Sequence, residues 1–281
     1  MKQLSFDEII RECLVAIFKE DLLKNDLYLK GGQALRLGEH IDKRLSTDID
    51  FSSKGELSDN KQGFLHDALY SHFSNIGIHL FSYKISRRPR ETKEGFPKWW
   101  SGFAIEFKLI DQEQMHLPIE DMERQAIRPL GAQGSPKIEI DISPFEYCGS
   151  SESFLIRGVK VNRYSKALLI LEKLRAICQQ HPDYKFRSQK KRSRDFYDIS
   201  SLLDRTTTIK ETTDLFNECK KHLPAVFSSK EVPLEILDKV FDEDFLKLQR
   251  EDWELTKRTI SANKDFDTYL ERVKAFIRRI V

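Results

Sequence analysis

The chain has 281 residues, enough for a sizeable core in one large or two modest domains. One third of them are charged, yet the signs nearly cancel at +2, so global charge does not select nucleic acid as a partner and local patches must make that case. No long apolar run exists to span a bilayer, and four scattered cysteines (Cys13, Cys148, Cys178, Cys219) without a Cys-x-x-Cys pair point to free thiols in a reducing cytoplasm.

Apolar residues at helical spacing (Ile9, Ile10, Cys13, Leu14, Ile17, Phe18) predict an amphipathic helix from about Ser5 to Leu23. The acidic, amphipathic start is unlike a signal peptide. A short strand, Leu27-Tyr28-Leu29, runs to Gly31 and Gly32, and a helical stretch follows from Gln33 to Glu39. Thr47 to Phe51 reads as a strand and Gln62 to Ile76 as a helix. Strands are then predicted over Leu80–Ile85, Phe103–Ile110, Ile138–Ile142 and Phe154–Val161, with Trp99 and Trp100 at a strand start. From Ser165 onward the pattern is helical nearly throughout. Gly149, Ser150, Ser151 and Ser153 punctuate the boundary, which gives domains of 1–155 and 156–281.

Two features carry chemistry. Asp48 and Asp50 alternate with Ile49 and Phe51, so a strand there turns both carboxylates to one face. Adjacent carboxylates repel unless a cation lies between them, and a divalent metal with oxygen ligands is the usual answer. The Gly31-Gly32 pair at a helix start offers backbone N–H groups to phosphate. Together these suggest a nucleoside triphosphate held with magnesium, or alternatively manganese.

The pattern Gly31-Gly32-Gln33-Ala34-Leu35, a spacer, then Arg44-Leu45-Ser46-Thr47-Asp48-Ile49-Asp50-Phe51 resembles the DNA polymerase β superfamily of nucleotidyltransferases. Within it the wording resembles the AbiEii/AbiGii toxins of type IV toxin–antitoxin and abortive-infection systems. That family usually has Thr after the glycine pair, where this chain has Gln33. The resemblance implies an α+β fold: an N-terminal mixed sheet with flanking helices, and a C-terminal helical domain closing over the nucleotide.

It also implies a third metal carboxylate on a later strand. In Lys137–Ser143 three isoleucines take one face and leave Glu139 and Asp141 on the other. Asp141 is the better match. Ser46 shares the Asp48 face and is expected at a phosphate oxygen; a strand-start serine is the plainer reading. The family's late motif, a lysine on one helix and Arg/Lys-Asp-x-x-Asp on the next, is matched by Lys173 and by Arg194-Asp195-Phe196-Tyr197-Asp198. Lys173 has apolar neighbours Leu169, Ile170, Ala176 and Ile177 one turn away. It either reaches triphosphate with Asp195 positioning it, or forms an inter-helix ion pair.

Between those helices, Lys185–Arg194 sets six basic residues around Phe186. Lys190, Lys191 and Arg192 are the expected RNA contacts, against a solvated loop. Arg87, Arg88 and Arg90, near Lys84, form a second basic cluster in a predicted loop. The expected activity is transfer of a nucleoside monophosphate to an acceptor hydroxyl. The resemblance favours the tRNA 3′ end or other RNA, with an antitoxin encoded alongside that need not form a stable complex. Modification of a protein or small molecule, and a non-catalytic nucleotide- or RNA-binding regulator, stand as alternatives.

Overall fold

The computed structural model describes residues 4–41, 48–89, 95–130, 134–187, 190–260, 262 and 264–281. The chain divides into two compact units. One comprises Met1–Ala34, Ser46–Glu146 and Glu152–Arg163; the other comprises Leu35–Leu45, Tyr147–Ser151 and Tyr164–Val281.

The first unit is built on a mixed seven-stranded sheet. Its strands are β1 (Leu27–Lys30), β2 (Asp48–Ser53), β3 (Ile78–Arg88), β4 (Gly102–Asp111), β5 (Ile138–Ser143), β6 (Ser151–Ile156) and β7 (Val159–Tyr164), in the order β3-β4-β5-β2-β1-β7-β6. Helix α1 (Phe6–Lys19) begins at a capping box in which Ser5 and Glu8 satisfy each other's backbone N–H groups. Its apolar stripe of Ile9, Ile10, Cys13, Leu14 and Ile17 is fully buried. The predicted first helix breaks at Glu20, where the backbone turns extended, and resumes as α2 (Asp21–Lys24). Gly31–Gln33 forms α3 and leads into a π-helical turn, Ala34–Gly38. Helix α4 (Asp59–Asn75), capped by Ser58, buries Leu65, Ala68, Leu69 and Phe73.

Three local expectations change. The strand expected over Phe154–Val161 is a hairpin, β6 and β7, because Arg157 and Gly158 both adopt positive φ and make a two-residue turn. Trp99 and Trp100 lie in a 3-10 turn, Lys98–Trp100, that follows Pro97. A short helix, α5 (Ile119–Gln125), forms after Pro118 in a stretch with no strong apolar period.

The second unit is helical: α6 (Lys166–Cys178), α7 (Ser193–Leu203), α8 (Ile209–Ser228), α9 (Ile236–Lys239), α10 (Glu243–Thr256) and α11 (Phe266–Ile280). Helix α6 packs on α7, α8 and α9, while α7 packs on α10 and α11. An aromatic cluster cements the latter, with Phe196 5.1 Å from Phe266 and Trp253 5.2 Å from Tyr269 between ring centroids. All four cysteines are buried thiols outside any disulfide. Among the described residues no helix is long and apolar enough to cross a membrane.

Candidate active site

The site begins with strand register. Ile49 and Phe51 are fully buried, so Asp48 and Asp50 take the opposite face of β2. Strand β5 pairs with β2 in parallel and places Glu139 beside Asp48 and Asp141 beside Asp50. Strand β4 adds Glu106 beside Glu139, and β1 adds Lys30 beside Asp50. One row across the sheet therefore reads Ala104, Asp141, Asp50, Lys30; the next reads Glu106, Glu139, Asp48. Five carboxylates share one face.

Like charges side by side on a sheet repel, and among the described residues three cations temper them. Arg88 donates to Glu139 and to Glu106 (2.6 Å), with Nη1 3.8 Å from Asp141 Oδ1. Lys137 Nζ lies 3.1 Å from Glu106 and 3.0 Å from Glu139. Lys30, buried beyond Asp50, donates to Ser143 Oγ (3.0 Å) and sits 3.5 Å from Glu146. Burial alone would raise the Glu139 carboxyl, but hydrogen bonds from Lys137 and Arg88 hold it below its ordinary value. Asp141 goes the other way. Burial and the neighbouring Glu139 charge push it up, Asp48 adds to the push, and Arg88 and Lys30 only partly oppose it. Among the described residues no three or more His, Cys, Asp or Glu side chains converge, as they stand, into a metal cage.

The glycine pair is fitted to this face. Gly31 has φ +62°, and a Cβ there would lie 2.2 Å from Asp50 Oδ2 and 2.9 Å from its Cγ. Only glycine lets the backbone approach the Asp50 carboxylate so closely. Gly32 and Gln33, next in α3, are buried. Ser46 lies outside the described residues.

The second set of candidates forms a buried ion cluster. Lys173 on α6 is 3% exposed, and its Nζ donates to Asp195 Oδ1 (2.9 Å) and Asp198 Oδ2 (2.6 Å) on α7. Asp198 is fully buried. Arg192 Nη1 approaches Asp195 Oδ2 at 3.6 Å. Asp198 is thus an equal partner of Asp195, as its i+3 position on an otherwise apolar stripe signals.

The basic run is more anchored than its composition implies. Backbone N–H groups of Lys190 and Arg192 donate to Gln180 (2.6 Å) and Gln249 (2.9 Å), and Ser193 Oγ donates to Asp252 (2.6 Å). Lys190 and Lys191 are exposed, whereas Arg192 is half-buried. Phe186 is buried against Tyr184, so it is a core residue and not a surface ring for a base. The Arg87–Arg88 cluster is not a loop. Strand β3 runs on through Arg88 because β4 supplies partners as far as Gly102. Arg88 serves the carboxylate face, and Arg87 pairs with Glu56 and lies over the Phe103 ring. Arg90 lies outside the described residues. No sequence signal marked Arg88 for the acidic face, since that depends on pairing between β3, β4 and β5.

No curated protein matches the chain. Among solved structures, that of an antigenic nucleotidyltransferase-like protein from Paracoccidioides brasiliensis is similar, covering 82% of this chain and 95% of that one at 17% identity and a TM-score of 0.38. The family described as nucleotidyl transferase AbiEii toxin, type IV TA system, matches residues 12–272. With the match spanning most of its length, the chain belongs to the AbiEii nucleotidyltransferase toxin family of type IV toxin–antitoxin systems.

Proposed function

We propose that this nucleotidyltransferase moves a nucleoside monophosphate from an NTP to a hydroxyl of RNA, most specifically the tRNA 3′ end, as the toxin of a type IV pair. One observation carries the catalytic part of the reading: the parallel register of β2 and β5 that brings Asp48, Asp50 and Asp141 onto one face. The donor set is all carboxylate oxygen, which suits magnesium or manganese. The Asp141 carboxyl is raised first by burial and then by the neighbouring Glu139 and Asp48 charges, which Arg88 and Lys30 only partly oppose. Asp48, Asp50 and Asp141 would hold the ion. When bound, it supplies charge stabilisation for the entering and leaving oxygens of an in-line displacement.

The chain's own groups do the rest. The acceptor hydroxyl attacks the α-phosphorus, the bond to the bridging oxygen breaks, and pyrophosphate leaves. Asp141 accepts the hydroxyl proton. Backbone N–H groups at Gly31 and Gly32 orient phosphate, and Ser46 adds a hydroxyl. Lys173, positioned by Asp195 and Asp198, is the motif's cation for the triphosphate. Lys190 and Lys191 meet RNA phosphates, with Arg192 a lesser contributor. A cognate antitoxin is the regulatory partner.

The test is direct. Protein, magnesium and each α-labelled NTP are incubated with total RNA, and label is expected in tRNA-sized RNA, dependent on Asp48 and Asp50. Label in a protein or small-molecule fraction would replace the RNA acceptor. RNA binding with no metal-dependent label anywhere would replace the enzymatic reading by a binding module.

A further inference from the structure

The three cations around the carboxylate face are not equivalent. The Lys30 side chain is 10% exposed and fixed by Ser143 and Glu146. Lys137 touches Glu106 and Glu139 and so keeps both partnered if another cation departs. Arg88 Nη1 lies 3.8 Å from Asp141 Oδ1, and its side chain, at 47% exposed, is the most accessible of the three. Moving into solvent would rehydrate its guanidinium and give up its hydrogen bonds to Glu139 and Glu106.

Resting on the reading that Asp48, Asp50 and Asp141 bind a divalent ion, we propose that Arg88 is a resident counter-charge that the incoming ion displaces from Asp141. A guanidinium 3.8 Å from Asp141 and a dication on the same carboxylate would repel strongly at a surface dielectric. The nucleotide-free face therefore binds metal more weakly than its carboxylates alone would. A triphosphate changes the balance, because its oxygens offer the released guanidinium a bidentate partner. Metal and nucleotide then load together, with Arg88 moving from carboxylate to phosphate.

The experiment titrates Mn2+ alone into the nucleotide-free full chain and follows free ion by electron paramagnetic resonance. Arg88→Gln is expected to bind Mn2+ at least about five-fold tighter than wild type, the scale of one lost repulsion across a few ångströms of partly screened surface. Arg88→Lys, which keeps the charge on a less extensive fork, is expected to fall between the two and serves if the glutamine variant does not fold. Asp50→Asn is expected to lose Mn2+. Affinity in the Arg88 variants equal to or below wild type, with Asp50→Asn still losing the ion, overturns the displacement and leaves the metal reading standing. Undiminished Mn2+ binding in Asp50→Asn overturns the metal reading itself.

Discussion

The carboxylate face of the sheet and the lysine cluster of the helical unit are both concentrations of charge, but they are balanced differently. On the sheet, five carboxylates meet three cations among the described residues, and Asp141 stays raised by its burial together with the neighbouring acids. In the helices, Lys173 answers Asp195 and Asp198 at once, buried, with Arg192 close by. An excess of one sign at an accessible face calls for a ligand of the other sign. A buried ammonium shared by two carboxylates of the neighbouring helix ties α6 to α7, whatever else it does. The two should therefore respond oppositely to substitution, one in activity and the other in stability.

The largest effect is expected at Asp50. Asp50→Ala should lower transfer by about 10³-fold or more, on the order of 4 kcal/mol of barrier, while far-UV circular dichroism stays unchanged. Asp48→Ala should behave alike. Substantial turnover in either would dissolve the contrast. Gly31→Ala tests the same face through the backbone. Its methyl cannot occupy the space held by Asp50 Oδ2, and positive φ costs an L-residue about 1–2 kcal/mol. Activity should fall sharply with only a modest drop in melting temperature.

For the helical cluster, Lys173→Met leaves two buried carboxylates without their ammonium, a loss of about 3–5 kcal/mol. Denaturant unfolding measures it, and adding Asp195→Asn and Asp198→Asn should recover part of the stability. Nucleotide affinity of the folded fraction then decides whether Lys173 also serves the triphosphate. An unperturbed melt would show that the cluster is not the clamp its burial implies.

A smaller effect concerns Asp141. Its carboxyl is raised in the folded state, so its contribution to stability is greatest below the unfolded value and declines as pH rises through the folded one. Metal-free Asp141→Asn should melt higher than wild type at neutral pH, with the gap closing towards acid, while transfer is lost. The smallest effect is at the basic run. Neutralising Lys190, Lys191 and Arg192 should reduce the log–log salt slope of RNA binding by about two units, less than three full phosphate contacts, because Arg192 is held by Asp195. An unchanged slope would make the run a solvated loop.

Much of the architecture is legible in the sequence because its signals are local. The period of α1, the alternation in Ile138–Ser143 and the helical C-terminal half each follow from which residues repeat at which spacing. Local signals misled where a turn interrupted an apolar run, as at Arg157-Gly158, and where basic residues suggested a loop although a neighbouring strand kept them in register, as at Arg88.

By itself, then, the sequence determined that Asp48 and Asp50 share a face, that Glu139 and Asp141 share another, and that Lys173 lies among apolar neighbours. Period 2 and period 3.6 are properties of the chain. Tertiary structure alone decided that the two acidic faces are one, that Gly31 must yield its side chain to Asp50, that Arg88 stands among the acids, and that Lys173 closes on both aspartates. Each of these is a pairing between segments far apart in sequence. Register and packing between such segments depend on how cores close, which no single segment encodes.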